Sequence, residues 1–117
     1  MRHAEHRIQV AAYEYFNFAY TRSRGWLFLA IPMGGRRNAV TGAYLKAEGA
    51  TAGTPDVVLV LDGGRTVWVE FKAKGGRVSP SQVAMAESLK RKGHTYWLVW
   101  SLDDFVKLCR TLENGKL

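Results

Sequence analysis

Cysteine, proline and acidic residues are all scarce in this sequence. Its 117 residues include one cysteine and three prolines, and 10 acidic residues stand against 17 basic ones. The single cysteine excludes an internal disulfide, so an apolar core has to hold the fold, and a reducing cytoplasm is the expected compartment. Cys109 itself falls in a helical pattern with Phe105, Leu108 and Leu112, and this spacing predicts a packing role.

Several functional signals are missing as well. The sequence shows no membrane-spanning apolar run, signal peptide, internal repeat or linker. Its three histidines lack zinc spacing, and it contains neither a phosphate-binding Walker loop nor a nucleophile elbow. We therefore expect one domain over residues 1–117, without a membrane partner or an organic cofactor.

The deficit of acidic residues gives a net charge of +7 and a pI near 9.9. Clustered basic residues gain free energy by displacing counterions from nucleic acid, so the charge favours a polyanionic partner such as DNA. An ordinary soluble basic protein, with each cluster a solvated face, is the alternative. The candidate phosphate contacts are Arg36, Arg37, Lys74 and Arg77, with Lys72 beside them, and the run Lys90, Arg91, Lys92.

Two apolar, β-branched runs, residues 57–61 and 66–71, flank a Gly-Gly turn and predict a β-hairpin. Asp56 stands at the start of the first strand, and Glu70 and Lys72 lie on the second. Because alternate residues of a strand share a face, Glu70 and Lys72 point the same way, about 6.6 Å apart along the strand. Two carboxylates and an ammonium group on one patch predict a site for a hard cation such as Mg²⁺ or Mn²⁺.

The length of the hairpin loop decides whether these carboxylates meet. A two-residue Gly63-Gly64 loop would turn Asp56 to the face opposite Glu70. A three-residue loop that begins at Asp62 sets Asp56 directly across from Glu70, and such loops use left-handed residues, which suits glycine. We predict a loop of odd length, or a bulge or bend near Asp56.

The remaining patterns predict an α/β fold. A strand–helix–strand connection within one sheet implies a parallel pair, whereas the hairpin is antiparallel, so a mixed four-stranded sheet flanked by helices follows. The predicted helices cover residues 4–20, 38–48, 79–92 and 101–114, and the strands outside the hairpin cover 26–31 and 94–100.

Several motifs together resemble one nuclease family. The sequence contains G-T-P-D, then E-F-K, then S-P-S-Q at the start of a helix. It also contains E-H-R-I-Q near the beginning and G-G-R-R-N-A-V-T-G-A-Y-L-K-A-E-G from residue 34. Together these motifs resemble the VRR-NUC domains. These are the virus-type replication-repair nucleases of the restriction-endonuclease-like, or PD-(D/E)XK, superfamily, and the similarity is to their small stand-alone phage-borne members. Met33 departs from the Asn expected in those relatives. The resemblance implies an αβββαβ core and a bacterial or phage-infected cell.

The same resemblance implies roles for individual residues. Asp56, Glu70 and the backbone carbonyl of Phe71 would hold Mg²⁺ or Mn²⁺, with Glu5 as a further ligand. Lys72 would position the attacking water or stabilise the oxygens of the phosphate. Each of these residues also has a structural alternative. Asp56 would be a residue that begins a strand, and Glu70 and Lys72 would form a solvent-exposed pair on an edge strand that contributes little to stability.

Two further residues also have structural alternatives. Glu5 would favour a helix N-terminus through the helix dipole. Glu14, nine residues on, is predicted to face the opposite side of the helix, so only one of the two reaches a shared site. Gln82, three residues after Ser79, completes a capping box, whereas the resemblance places it beside the metal, and the two roles are compatible.

The sequence thus predicts a metal-dependent endodeoxyribonuclease acting on branched or structured DNA, of Holliday-junction or flap type, in DNA repair. A non-catalytic nucleic-acid-binding module on a nuclease-like fold is the first alternative, and an interaction protein with acidic partners is the second. Two cuts in symmetry-related strands of a junction favour a homodimer. Trp68, on the strand face of Glu70, is the candidate interface anchor, and packing beneath the first helix is its alternative.

Overall fold

The computed structural model describes residues 2–32 and 39–116, and a four-stranded mixed sheet lies at its centre. The order is β1-β2-β3-β4; β1 and β2 are antiparallel, β2 and β3 form the predicted antiparallel hairpin, and β3 and β4 are parallel. The strands are β1 (Leu27–Ala30), β2 (Val57–Val60), β3 (Thr66–Phe71) and β4 (Thr95–Val99).

Helices occupy every predicted position, although the first one ends differently. The helices are α1 (Arg2–Phe16), α2 (Arg22–Arg24), α3 (Ala39–Ala47), α4 (Pro80–Arg91) and α5 (Leu102–Glu113). A π-helical segment, Asn17–Thr21, joins α1 to α2, so the predicted helix over residues 4–20 contains a wider turn that sequence periodicity did not indicate.

One expectation about the sheet is only half right. The parallel pair expected across a strand–helix–strand connection exists for β3-α4-β4, but β1 and β2 are antiparallel although α3 connects them. The 26 residues from 31 to 56 are enough for the chain to come back beside the strand it has just left, in the opposite direction.

The apolar core lies on one face of the sheet, beneath α1 and α5. Phe16 of α1 and Phe105 of α5 are both fully buried, with ring centroids 6.2 Å apart. Cys109 lies in this cluster as a buried free thiol, which confirms its packing role. Helix α4 packs against β4, and the side chains of Glu70 and Trp68 belong to the sheet face opposite the core, because strand residues alternate.

The hairpin loop has the predicted three residues. Val60 pairs with Thr66, and the N–H of Leu61 donates to the carbonyl of Arg65 at 2.9 Å, so the loop consists of Asp62, Gly63 and Gly64. Both glycines have positive φ, 69° and 74°, a conformation that costs other residues strain. The prediction of an odd-length loop is therefore confirmed.

Candidate active site

The register of the hairpin brings Asp56 and Glu70 together at its open end. Val57 pairs with Val69, so the preceding residue, Asp56, falls opposite Glu70. The backbone N–H of Phe71 donates to Asp56 Oδ2 at 2.8 Å, which fixes that carboxylate against β3. The two carboxyl groups are near enough for the charge of Asp56 to raise the pKa of Glu70, which favours a protonated Glu70.

Burial makes this pair of carboxyl groups energetically unusual. Glu70 is only 2% exposed. The pKa of Glu70 is raised to about 8, mainly by burial and also by the charges of Asp56 and Glu5, against the opposing effect of the Lys72 ammonium. Burying such a cluster of like charges reduces the stability of the folded protein, and groups with shifted pKa values of this kind are concentrated at functional sites.

Lys72 completes the patch from just beyond the strand. Strand β3 ends at Phe71, but the N–H of Lys72 still donates to the carbonyl of Val99 at 2.9 Å, so Lys72 continues the β3–β4 ladder. Its side chain is 8% exposed, an uncommon degree of burial for lysine. The ladder thus directs the lysine onto the face that Glu70 shares.

Gln82 occupies both of the roles considered for it. Its backbone N–H donates to Ser79 Oγ at 3.2 Å, and its Oε1 accepts from the Ser79 N–H at 2.9 Å, which is a complete capping box. Because Oε1 is used in the cap, Nε2 remains to donate to Glu70 Oε2 at 2.9 Å. The start of α4 therefore fixes the orientation of the amide that contacts the buried carboxyl group.

A close backbone contact positions that helix end. Gly53, in the loop leading to Asp56, has φ 87°, and a β-carbon there would clash with the carbonyl oxygen of Ser81. Any larger residue would push the loop away from the first turn of α4. The contact links the segment that carries Asp56 to the helix turn that carries Gln82.

Glu5 approaches the same site from α1. Its charge contributes to the raised pKa of Glu70, and Oε2 of Glu5 lies close to Gly76 in the loop after β3. Glu14 also lines the groove between α1 and the end of β1, so the prediction that it faces the opposite side was too strict. Glu5 is nevertheless the one of the two whose charge acts on Glu70.

The predicted basic residues are only partly described. Lys74 and Arg77 are exposed in the loop that follows Lys72, beside the carboxyl pair. Lys90, Arg91 and Lys92 are exposed at the end of α4. The predicted contacts Arg36 and Arg37, like Met33, lie outside the described residues.

Tyr96 is a neighbour of the site that the sequence did not indicate. Tyr96 lies on β4 and pairs with Trp68 of β3, which is two residues before Glu70. Burial together with the charges of Glu70 and Asp56 raises the pKa of Tyr96 to about 12. The Lys90 ammonium lies over its ring, 5.5 Å from the centroid. Only the β3–β4 register reveals this neighbour, because alternating strand patterns do not indicate register between distant segments.

The donor set suits a hard divalent cation, but it is incomplete without movement or water. Within residues 2–32 and 39–116, no three His, Cys, Asp or Glu side chains are grouped closely enough to hold a metal. Asp56 and Glu70 supply two oxygen donors, and Mg²⁺ keeps several waters and binds through one or two carboxylates. A bound cation would offset the repulsion between the two carboxylates and so displace the proton that burial favours on Glu70.

The comparisons with known proteins identify a nuclease-type domain. A family model described as "VRR-NUC domain" matches residues 30–99, and the chain belongs to the VRR-NUC family. A search of curated proteins found no match.

Two solved structures share the fold. One, described as a VRR_NUC domain protein, has a TM-score of 0.77 at 17% identity, covering 97% of this chain and 90% of its own. The other, described as a VRR_NUC domain, has a TM-score of 0.63 at 24% identity, covering 92% and 95%. The predicted mixed sheet flanked by helices is confirmed.

Proposed function

We propose that this protein is a divalent-metal-dependent endodeoxyribonuclease that cleaves branched or structured DNA. Membership of a nuclease family makes DNA the expected substrate class. The observation that carries the proposal is the pairing of Asp56 across the hairpin from buried Glu70, which Lys72 and Gln82 adjoin. A structural role alone does not explain this cluster, because an apolar pair of similar size would be cheaper to bury.

Each residue has a proposed task in phosphodiester hydrolysis. Asp56, Glu70 and the Phe71 carbonyl would hold Mg²⁺ or Mn²⁺, and Glu5 would add a further oxygen. A divalent cation neutralises the charge that develops on the phosphate. The Lys72 ammonium would orient the attacking water or stabilise the phosphate oxygens, and Gln82 would hold Glu70 in its orientation through the 2.9 Å hydrogen bond.

The decisive test is a cleavage assay on a panel of substrates. Purified protein is incubated with flaps, four-way junctions and plain duplexes in Mg²⁺, Mn²⁺ or EDTA. We expect cleavage of the branched substrates that EDTA abolishes. Binding without cleavage in either metal would favour the alternative of a non-catalytic nucleic-acid-binding module.

Matched variants assign the activity to the site. Glu70→Ala should abolish cleavage, whereas Glu87→Ala, on the exposed side of α4, should cleave like the wild type. Lys72→Ala should lose turnover more than metal affinity, because an ammonium group is not a ligand. Equal activity of Glu70→Ala and Glu87→Ala would contradict the assignment.

We further propose that the active form is a symmetric homodimer. Leu27 and Leu29 are 44% and 47% exposed on β1, and the sheet pairing places them on the face of Trp68. Trp68 Nε1 is buried without a hydrogen-bond partner among the described residues. This face is opposite α1, so packing beneath the first helix is not the role of Trp68.

Sedimentation at micromolar concentration tests the dimer. The chain mass is 13.1 kDa, so the mass measured by sedimentation should be about twice that value for a dimer. Leu29→Lys should shift it to the monomer, whereas Val83→Lys, an exposed apolar position on α4, should not. A wild-type monomer with and without junction DNA would favour a nicking or flap-cleaving enzyme.

A further inference from the structure

An apolar groove leads away from the carboxylate site along helix α1. It has a volume of about 530 Å³, and Asp56 and Glu5 form one end of it. Its walls are a stripe of α1 and the end of β1, and residues such as Val10, Tyr13 and Phe28 line it. The groove is therefore continuous with the site where a scissile phosphate would lie.

Its most prominent surface is an aromatic ring held in place from one side. Tyr13 is 48% exposed, and neighbouring Val10 is 41% exposed. The Tyr13 ring meets Phe28 edge to face, with centroids 5.4 Å apart and planes at 69°. This contact orients the ring while leaving much of its surface open, which is the arrangement of a stacking platform.

The charge of the groove distinguishes between parts of a nucleic acid. The described residues lining it include three carboxylates, those of Glu5, Glu14 and Asp56, and one histidine, His6, but neither lysine nor arginine. A phosphate would be repelled there, whereas a neutral base could stack on Tyr13 and form hydrogen bonds with Gln9 or Glu14. The lining chemistry thus suits a nucleobase and not the sugar–phosphate backbone.

The dimensions indicate a single unpaired nucleotide. Pockets of roughly 300–1,000 Å³ enclose small-molecule ligands, so this groove can take a nucleoside but not a base-paired duplex. Tyr13 is eight residues from Glu5, about 12 Å along the helix. A short unstacked piece of strand leaving the carboxylate site can reach it.

We propose that this groove holds an unpaired base next to the scissile phosphate, with Tyr13 as its stacking partner. The inference rests on the proposed nuclease function and gives it a substrate feature: the protein would read an unstacked nucleotide, as found at a flap base or a junction branch point. Stacking tolerates any base, so the groove would select DNA structure and not sequence.

The test is a coupling measurement between the base and the ring. Binding of a labelled flap is measured in Ca²⁺, with a single abasic position moved nucleotide by nucleotide past the cut. At one position the wild type should bind the abasic flap about 10- to 100-fold more weakly than the intact flap. Tyr13→Ala should weaken binding of the intact flap similarly and show no further loss on the abasic one, whereas Tyr13→Phe should bind like the wild type.

Phe18→Ala is the matched control, because Phe18 is 71% exposed outside the groove and its loss should leave flap binding unchanged. If no abasic position weakens wild-type binding, or if Tyr13→Ala weakens intact and abasic flaps equally, the base is not in the groove. A groove filled by the chain itself would give lower thermal stability in Tyr13→Ala without this coupling. Metal-dependent cleavage by the wild type is scored separately, so its absence contradicts the proposed function, and its presence without coupling contradicts only this inference.

Discussion

The two ends of the β2–β3 hairpin both carry an aspartate, and their surroundings differ. At the loop end, Asp62 Oδ2 accepts a hydrogen bond from Trp26 Nε1 at 3.1 Å, and the guanidinium groups of Arg24 and Arg65 lie over the Trp26 ring. At the open end, Asp56 faces another carboxyl group, that of Glu70, across the sheet.

The difference lies in how charge is balanced. The loop end pairs each polar group with a complementary one, as a structural site does. At the open end, the charges of Asp56 and Glu5 raise the pKa of the buried Glu70 carboxyl group, and the buried ammonium group of Lys72 opposes them. The same hairpin thus has one end that stabilises the fold and one end that destabilises it, and the second is the end that we propose binds a cation.

The largest expected effect comes from the same substitution at the two ends. Asp56→Ala should reduce metal-dependent cleavage by more than about 100-fold, because loss even of a residue that merely supports a metal ligand costs 10- to 100-fold. Asp62→Ala should keep cleavage but lose roughly 1–3 kcal/mol of unfolding free energy, because it leaves the buried Trp26 N–H unpaired. Cleavage rates and urea unfolding are measured on both, and similar cleavage by the two variants would remove the contrast.

The pH dependence of the unfolding free energy should reveal how far the buried carboxyl group at the open end destabilises the metal-free protein. The folded pKa of Glu70 is about 8 against a usual value of 4.5. Between these pH values the unfolded chain gives up the proton while the folded protein keeps it, so the metal-free protein loses stability as pH rises from 4.5 to 8. The loss amounts to a few kcal/mol at most, since each pKa unit is worth about 1.4 kcal/mol.

Urea unfolding in EDTA across this range measures the loss, with Glu70→Gln as the reference that cannot titrate. We expect the difference between wild type and Glu70→Gln to change with pH and to diminish in Mn²⁺. Parallel curves for the two proteins would show that Glu70 has no raised pKa.

A smaller effect separates the two roles of Gln82. Ser79→Ala removes the cap but keeps the amide, and it should cost about 1 kcal/mol of stability with a minor loss of cleavage. Gln82→Ala keeps the bond from the backbone N–H to Ser79 Oγ but removes the Oε1 half of the capping box and the bond to Glu70, so it should lose similar stability and about 10- to 100-fold in cleavage. If the two variants cleave equally well, the hydrogen bond to Glu70 has no functional role.

The smallest effect concerns the exposed cations beside the open end. Lys74→Ala and Arg77→Ala should each reduce the slope of log binding affinity against log salt by about 1, if each side chain contacts a phosphate. Lys107→Ala, exposed on α5, is the control and should leave the slope unchanged. A common slope for all three variants would place the DNA elsewhere.

Much of the open end could be predicted because it depends on local rules. The loop length fixes the hairpin register, and the register alone brings Asp56 opposite Glu70. The capping box at Ser79 and Gln82 follows from a four-residue motif. Such features need only strand alternation and helix-end chemistry, both of which the sequence carries.

The features that were missed depend on long-range packing. Tyr96 joins the site through the parallel pairing of β3 and β4, whose register no short motif determines. The groove beside Tyr13 exists because α1 crosses the sheet at a particular angle, and for the same reason Glu14 lines it. The antiparallel pairing of β1 with β2 likewise joins segments that are distant in sequence, and no short motif determines it.

Calorimetric titration of Mn²⁺ into the DNA-free protein near pH 7 tests the central claim most directly. Repeating it in buffers of different ionisation enthalpy counts the protons released. The account predicts that the wild type and Asp62→Ala bind Mn²⁺ and release the proton that Glu70 carries near pH 7, while Asp56→Ala binds far more weakly. Equal Mn²⁺ binding by Asp56→Ala and Asp62→Ala, or binding without proton release, would contradict it.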